Sequence, residues 1–136
     1  MIKPNEVRKG NLVEYDGRVF EIDTIAEEFP TLNTTEFGIG VVDWNNIRPI
    51  PLSEEWLLKF GFQKEDEGSV SVQFHYGDNL VTRDYLLSLI WIKDYKSNNN
   101  ALKGFPFYNN GHFTIKTVHH LQNLVFALGK ELTIKN

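Results

Sequence analysis

GNLVEYDGRVFEIDTI, residues 10–25, decides the fold. Leu12, Val13 and Tyr15 precede Asp16-Gly17, and Val19, Phe20, Ile22 and Ile25 follow it. Asp-Gly between two such runs predicts a β-hairpin, because a type I′ turn needs positive φ at both central residues. Alternation at Phe20, Ile22 and Thr24 gives the second strand one inward face.

Outward from the hairpin, residues 26–36 are polar and acidic, carry Pro30 and read as a loop. FGIGVVDW, residues 37–44, reads as a strand. Its Gly38 and Gly40 leave one face bare, a sign of a bulge or of close backbone approach. Asn45-Asn46 makes a turn, and residues 47–50 form a short edge strand, since Pro49 and Pro51 cannot donate to a ladder. Four or five short strands in about fifty residues predict a small, strongly bent barrel of SH3-like size.

Beyond Pro51 the pattern changes. Ser53 reads as an N-cap, Glu54 and Glu55 favour the positive end of a helix dipole, and Gly61 supplies the stop, with Phe62 folding back on Leu57. Trp56, Leu57 and Phe60 then face a core. Val70, Val72, Phe74 and Tyr76 alternate as a half-buried strand. Residues 80–94 continue as strand material, in which residues 85–92 fit either a strand or a helical turn followed by a strand. Residues 96–110, with the triplet Asn98-Asn99-Asn100 and Pro106, read as a polar loop, and residues 112–115 as a short strand. Thr117 caps a final helix with the apolar stripe Val118, Leu121, Leu124, Val125 and Leu128. Gly129 ends it, and residues 132–134 read as a last strand.

The predicted class is α+β. An SH3-like β-barrel spans residues 1–51 and packs against an antiparallel sheet with two helices in residues 52–136. In that second part the helices cover about 53–60 and 118–128, and the strands about 69–95 and 112–115.

The chain of 136 residues suits one compact domain or two small subdomains sharing a core. Ten Phe, five Tyr and three Trp let so short a chain bury a real core. There is no cysteine, which excludes disulfides, thiolate catalysis and zinc–cysteine sites and fits a reducing cytoplasm. The first ten residues show no apolar leader. No apolar run reaches the ~18–20 residues that span a bilayer, so no membrane partner is expected. The net charge of −4 is uneven: residues 1–68 hold 14 acidic and 7 basic side chains, residues 69–136 hold 4 and 7. A globally acidic chain argues against indiscriminate nucleic-acid binding, while the second half leaves room for a local basic face.

No catalytic, cofactor or metal site is expected. His75, His112, His119 and His120 match no ligand spacing, and adjacent helical residues point ~100° apart, so His119 and His120 do not converge on one ion. His119 and His120 read as one partly packed and one solvated residue at a helix start. Glu54-Glu55 answers to the helix dipole and Glu65-Asp66-Glu67 to a solvated loop. Ser69 and Ser71 lie on a strand pattern without a nucleophile motif, and Phe37-Gly38-Ile39-Gly40 lacks the third glycine and following helix of a dinucleotide site. A candidate nucleic-acid surface is made by Arg83, Lys93, Tyr95, Lys96, Lys103 and Phe107, where cations interleave with aromatics as in single-strand binders. The competing reading puts Trp91 in the core and uses the loop aromatics as anchors.

IRPIPLSEEWLLKFGF (residues 47–62), VHHLQNLVFALGKELT (118–133) and KPNEVRKGNLVEYDGRVFEI (3–22) resemble a group of short uncharacterised proteins encoded in Bacteroidetes genomes, phages and mobile elements. RKGNLVEYDGRVFEI, residues 8–22, also resembles the opening of KOW-type SH3-like barrels such as the first domain of translation elongation factor P. That resemblance implies a small barrel. It implies no translation role, because the stretch comparable to that family's lysine-bearing loop is acidic here, at Glu27, Glu28 and Glu36. The expected function is a non-enzymatic accessory binding module of phage or mobile-element origin, taking a protein or nucleic-acid partner. The alternative is a structural or interaction protein acting as a homo-oligomer, and an enzyme ranks third.

Overall fold

A computed structural model describes residues 2–25, 30–34, 38–65, 71–77, 87–92, 101–106 and 113–134. The α+β class holds: the described residues form two α-helices and two antiparallel five-stranded sheets, the first curled as a half-barrel. Contacts divide the chain into two units.

The first unit comprises residues 1–51 and 117–127. Strands β1 (Leu12–Tyr15), β2 (Arg18–Thr24), β3 (Thr31–Thr34), β4 (Gly38–Val41) and β5 (Ile47–Arg48) form its sheet in the order β4-β3-β2-β1-β5. The hairpin closes as its residues dictate, with Tyr15 opposite Arg18 and φ of 52° at Asp16 and 75° at Gly17. A register shift between Ile22 and Thr24 marks a bulge in β2, a device that bends a strand and increases its twist. Ile2, Val7, Val13, Ile22, Leu32, Trp44 and Ile47 form the core cluster, with Tyr15, Phe20 and Val42 packed against it.

Helix α2 (Val118–Ala127) belongs to this unit. The sequence pattern had grouped it with the second subdomain. Its apolar face explains only part of the placement: Val118, Leu121 and Val125 are buried, and so is Gln122. Gln122 accepts from the Leu12 amide at 2.8 Å and donates to the Gly10 carbonyl at 3.2 Å. Asn123 Oδ1 accepts from the Asn11 side-chain Nδ2 at 2.8 Å, and its Nδ2 donates to the Glu6 carbonyl at 3.0 Å. The Arg8 guanidinium lies 3.8 Å from the Phe126 ring centroid. A stripe read for apolar residues alone misses these polar clasps, which satisfy backbone groups of Glu6, Gly10 and Leu12.

The second unit comprises residues 52–116 and 128–136. Helix α1 (Glu54–Lys59) starts at Ser53, whose Oγ accepts from the Trp56 amide at 3.4 Å. It ends in a Schellman closure: Phe62 N–H donates to Leu57 O and Gly61 N–H to Leu58 O, with φ of 92° at Gly61. Leu57 and Phe60 are fully buried. Strands β6 (Gln63–Glu65), β7 (Ser71–Tyr76), β8 (Leu87–Ile92), β9 (Ala101–Pro106) and β10 (Phe113–Ile115) follow one another as a meander, in the order β10-β9-β8-β7-β6. Val72, Phe74, Leu87 and Leu89 fill its inner face.

Several expectations need correction. Residues 31–34 form β3 inside the first sheet rather than continuing a loop. Residues 101–106 form β9, paired on both sides, rather than a polar loop. Glu65 sits on β6 rather than in a solvated loop. Residues 87–92 are a strand, and residues 132–134 are not, although Leu132 is buried. The physical cause is shared. A strand's identity comes from its ladder partners, so polar segments such as Thr31–Thr34 and Gln63–Glu65 become strands because an apolar neighbour offers a free edge.

Candidate functional site

The first sheet carries a cleft of about 360 Å³ beside the hairpin turn. Its origin can be followed along the register. Val13 lies opposite Phe20, Ile22 opposite Leu32, and Leu32 opposite Gly40, so one face of the sheet carries all of them. Val13, Ile22 and Leu32 fill that face. The row then runs out: Tyr15 and Phe20 are only half-buried, and Gly40 has no side chain to contribute. Tyr15 and Phe20 make a tilted pair, ring centroids 6.0 Å apart and planes at 58°. Val42 also lines the cleft, with Asp16 and Arg18 at its rim.

Gly40 is not demanded by the backbone. It is not among the residues with positive φ, and a Cβ built there meets no atom within 4 Å among the described residues. Glycine inside a strand costs roughly 0.5–1 kcal/mol relative to alanine. What the missing side chain provides is the open cleft. The two charges at the rim differ in their commitments. Arg18 already has an interaction partner within the chain. Asp16 is exposed and makes no hydrogen bond or ion pair among the described residues.

A second cleft of about 380 Å³ lies at the start of α2, lined by Glu6, Thr117, His119 and His120. His119 is only 6% exposed and its Nδ1 has no partner among the described residues. Burial pushes its imidazole below the ordinary range; Glu6 pulls the other way, and His120 adds a smaller downward push. His120 is solvated, as the helix-start reading anticipated. Three amides at the helix start are already used: Val118 N–H donates to Ile50 O, His120 N–H to Thr117 Oγ1 and Leu121 N–H to Thr117 O. Little donor capacity is left there for an anion.

The second unit brings together three residues that the sequence kept apart. His75 Nδ1 lies 2.8 Å from Ser88 Oγ, and His75 Nε2 lies 3.1 Å from Glu65 Oε2. The acid favours a proton on Nε2, leaving Nδ1 to accept from the serine. The order resembles an acid–base–nucleophile relay. Yet His75 is directly opposite both Gln63 and Ser88 in the ladder, so the three side chains share one face of three adjacent strands. They act as a cross-strand polar ladder that fixes β6, β7 and β8 in register.

Of the candidate nucleic-acid residues, Arg83, Lys93, Tyr95, Lys96 and Phe107 lie outside the described residues. Lys103 lies on β9, opposite Ile90 and Thr114. Trp91 is half-buried opposite Val72. Among the described residues, no group of three His, Asp or Glu side chains is placed to hold a metal ion. No helix among them is long and apolar enough to cross a membrane.

The residues that sequence reasoning missed are Tyr15, Phe20 and Gly40 as parts of one cleft. The bare face of the FGIG segment was the available signal, and only the strand register shows what it faces. Comparison with known protein families, with curated proteins and with solved structures finds no match.

Proposed function

We propose that this protein is a non-enzymatic binding module that holds an extended segment of a partner protein in the cleft beside its first hairpin. One observation carries the reading: Gly40 keeps the cleft open at a position where neither backbone conformation nor crowding requires glycine. Half-buried aromatic walls suit such a segment, because Tyr and Phe present a large area at little entropic cost. The cleft also reaches β4, the outermost strand in the order of its sheet, and an edge strand can accept an added peptide strand. Charge favours a protein partner over nucleic acid at this surface: residues 1–51 hold 9 acidic and 5 basic side chains, and 117–127 hold none. A phage or mobile-element accessory role, implied by the resemblance of residues 3–22, 47–62 and 118–133, fits a small module of this kind.

Selection of displayed random 12-residue peptides on the full-length protein tests this, followed by mapping of a selected peptide by amide chemical shifts. The reading expects micromolar binders whose shifts concentrate on residues 15–20 and 40–42. Failure to enrich any peptide, or shifts confined to other surfaces, would overturn it.

A further inference from the structure

Within that cleft, and resting on that reading, we infer that the chemical group recognised is a cation: a lysine or arginine side chain of the partner, seated against Tyr15 and Phe20 and facing Asp16. Three observations converge. The two rings stand 6.0 Å apart at 58°, which offers a cation one ring face and the flank of a second. A cation within ~6 Å of a ring centroid is attracted by the ring quadrupole. Among the described residues no cation of this chain occupies the position: the cation–ring contacts are Arg8 on Phe126 and Lys59 on Trp56.

The sign of the rim charge is the second observation. Asp16 and Arg18 cancel formally, but Arg18 is engaged within the chain, whereas Asp16 makes no hydrogen bond or ion pair among the described residues. Asp16 thus presents at the rim a carboxylate that no described residue pairs with. The third is the turn itself. Asp16 has φ of 52° in a two-residue turn, so the turn sets its backbone next in sequence to Tyr15, on the rim of the cleft. A backbone held by its turn adds little ordering cost when the carboxylate pairs with a cation. The acidic excess of the unit steers a basic segment toward it.

The turn also supplies a clean test. Asp16→Asn removes the charge and keeps the fold, because Asn-Gly is the preferred pair for this turn type. The probes are N-acetyl-lysine methylamide, its neutral norleucine counterpart and its glutamate counterpart, titrated against the full-length protein while the amide shifts of Asp16, Gly17 and Gly40 are followed. The lysine probe should shift these resonances saturably in the millimolar range, with norleucine clearly weaker and glutamate inert. In Asp16→Asn the lysine affinity should fall about three- to fivefold, the size of one exposed charge contact. Equal binding of lysine and norleucine, or no effect of Asp16→Asn, overturns the cation assignment and leaves the cleft reading intact. Absence of any shift with all three probes also overturns it. Failure of the cleft reading itself appears separately, as selected peptides that map elsewhere.

Discussion

At the scale of single residues, His119 occupies an unfavourable position in the first unit. Its ring is buried and its Nδ1 is unpartnered among the described residues. Burial, opposed by Glu6 and reinforced by His120, holds its affinity for protons below the ordinary value of 6.5. The consequence for stability has a definite sign. Below pH 6.5 the unfolded chain takes up a proton that the folded chain resists, so stability falls as pH drops; above 6.5 both forms are neutral and the contribution is flat. His119→Phe removes the orphaned polar atom and the proton linkage together. It should stabilise the protein at pH 7 by about 1 kcal/mol, the scale of one unsatisfied buried group. The difference in Tm between this variant and the parent should widen as pH falls from 6.5 to 5. A variant that melts lower at pH 7, or a difference independent of pH, contradicts the account.

At the scale of elements, α1 shows how local chemistry sets boundaries. Its cap, its acidic first turn and its glycine stop all lie within a few residues, so its ends are readable from the sequence. Gly61 is the critical position, since φ of 92° there lets Phe62 close back on Leu57. Gly61→Ala should cost about 1–2 kcal/mol, the penalty for an L side chain in left-handed backbone, measured by urea denaturation at unchanged m-value. A neutral substitution would show that the closure carries no strain. The β1–β2 hairpin was legible for the same reason, its turn residues being specific to one geometry. Strands β3, β6 and β9 were not legible. Thr31–Thr34 contributes one buried apolar side chain, Leu32, and Gln63–Glu65 contributes none. Their pairing depends on strands distant in sequence, and periodicity over three or four residues carries no such information.

At the scale of the whole molecule, the first unit is built from both parts of the chain, residues 1–51 and 117–127. The amphipathic stripe identified α2 as a helix, but its unit is settled by Gln122 and Asn123, whose amides clasp the backbone at Gly10, Leu12 and Glu6. Polar specificity of this kind is invisible to a hydrophobic pattern. The cleft was partly legible: the bare glycine face could be seen, but its aromatic neighbours became apparent only once β1, β2, β3 and β4 were set in register. The arrangement sets stability against function at Gly40, where a strand would be better served by almost any other side chain.

The most direct test is therefore Gly40→Val, measured in one preparation for both Tm and affinity toward a peptide selected on the parent protein. Valine suits a strand and meets open space at its Cβ, so the account predicts a Tm equal to the parent's or higher by roughly 2–5 °C. It also predicts that the branched side chain, standing in the cleft, weakens the peptide by about tenfold or more. Undiminished affinity in a well-folded variant would contradict the central claim.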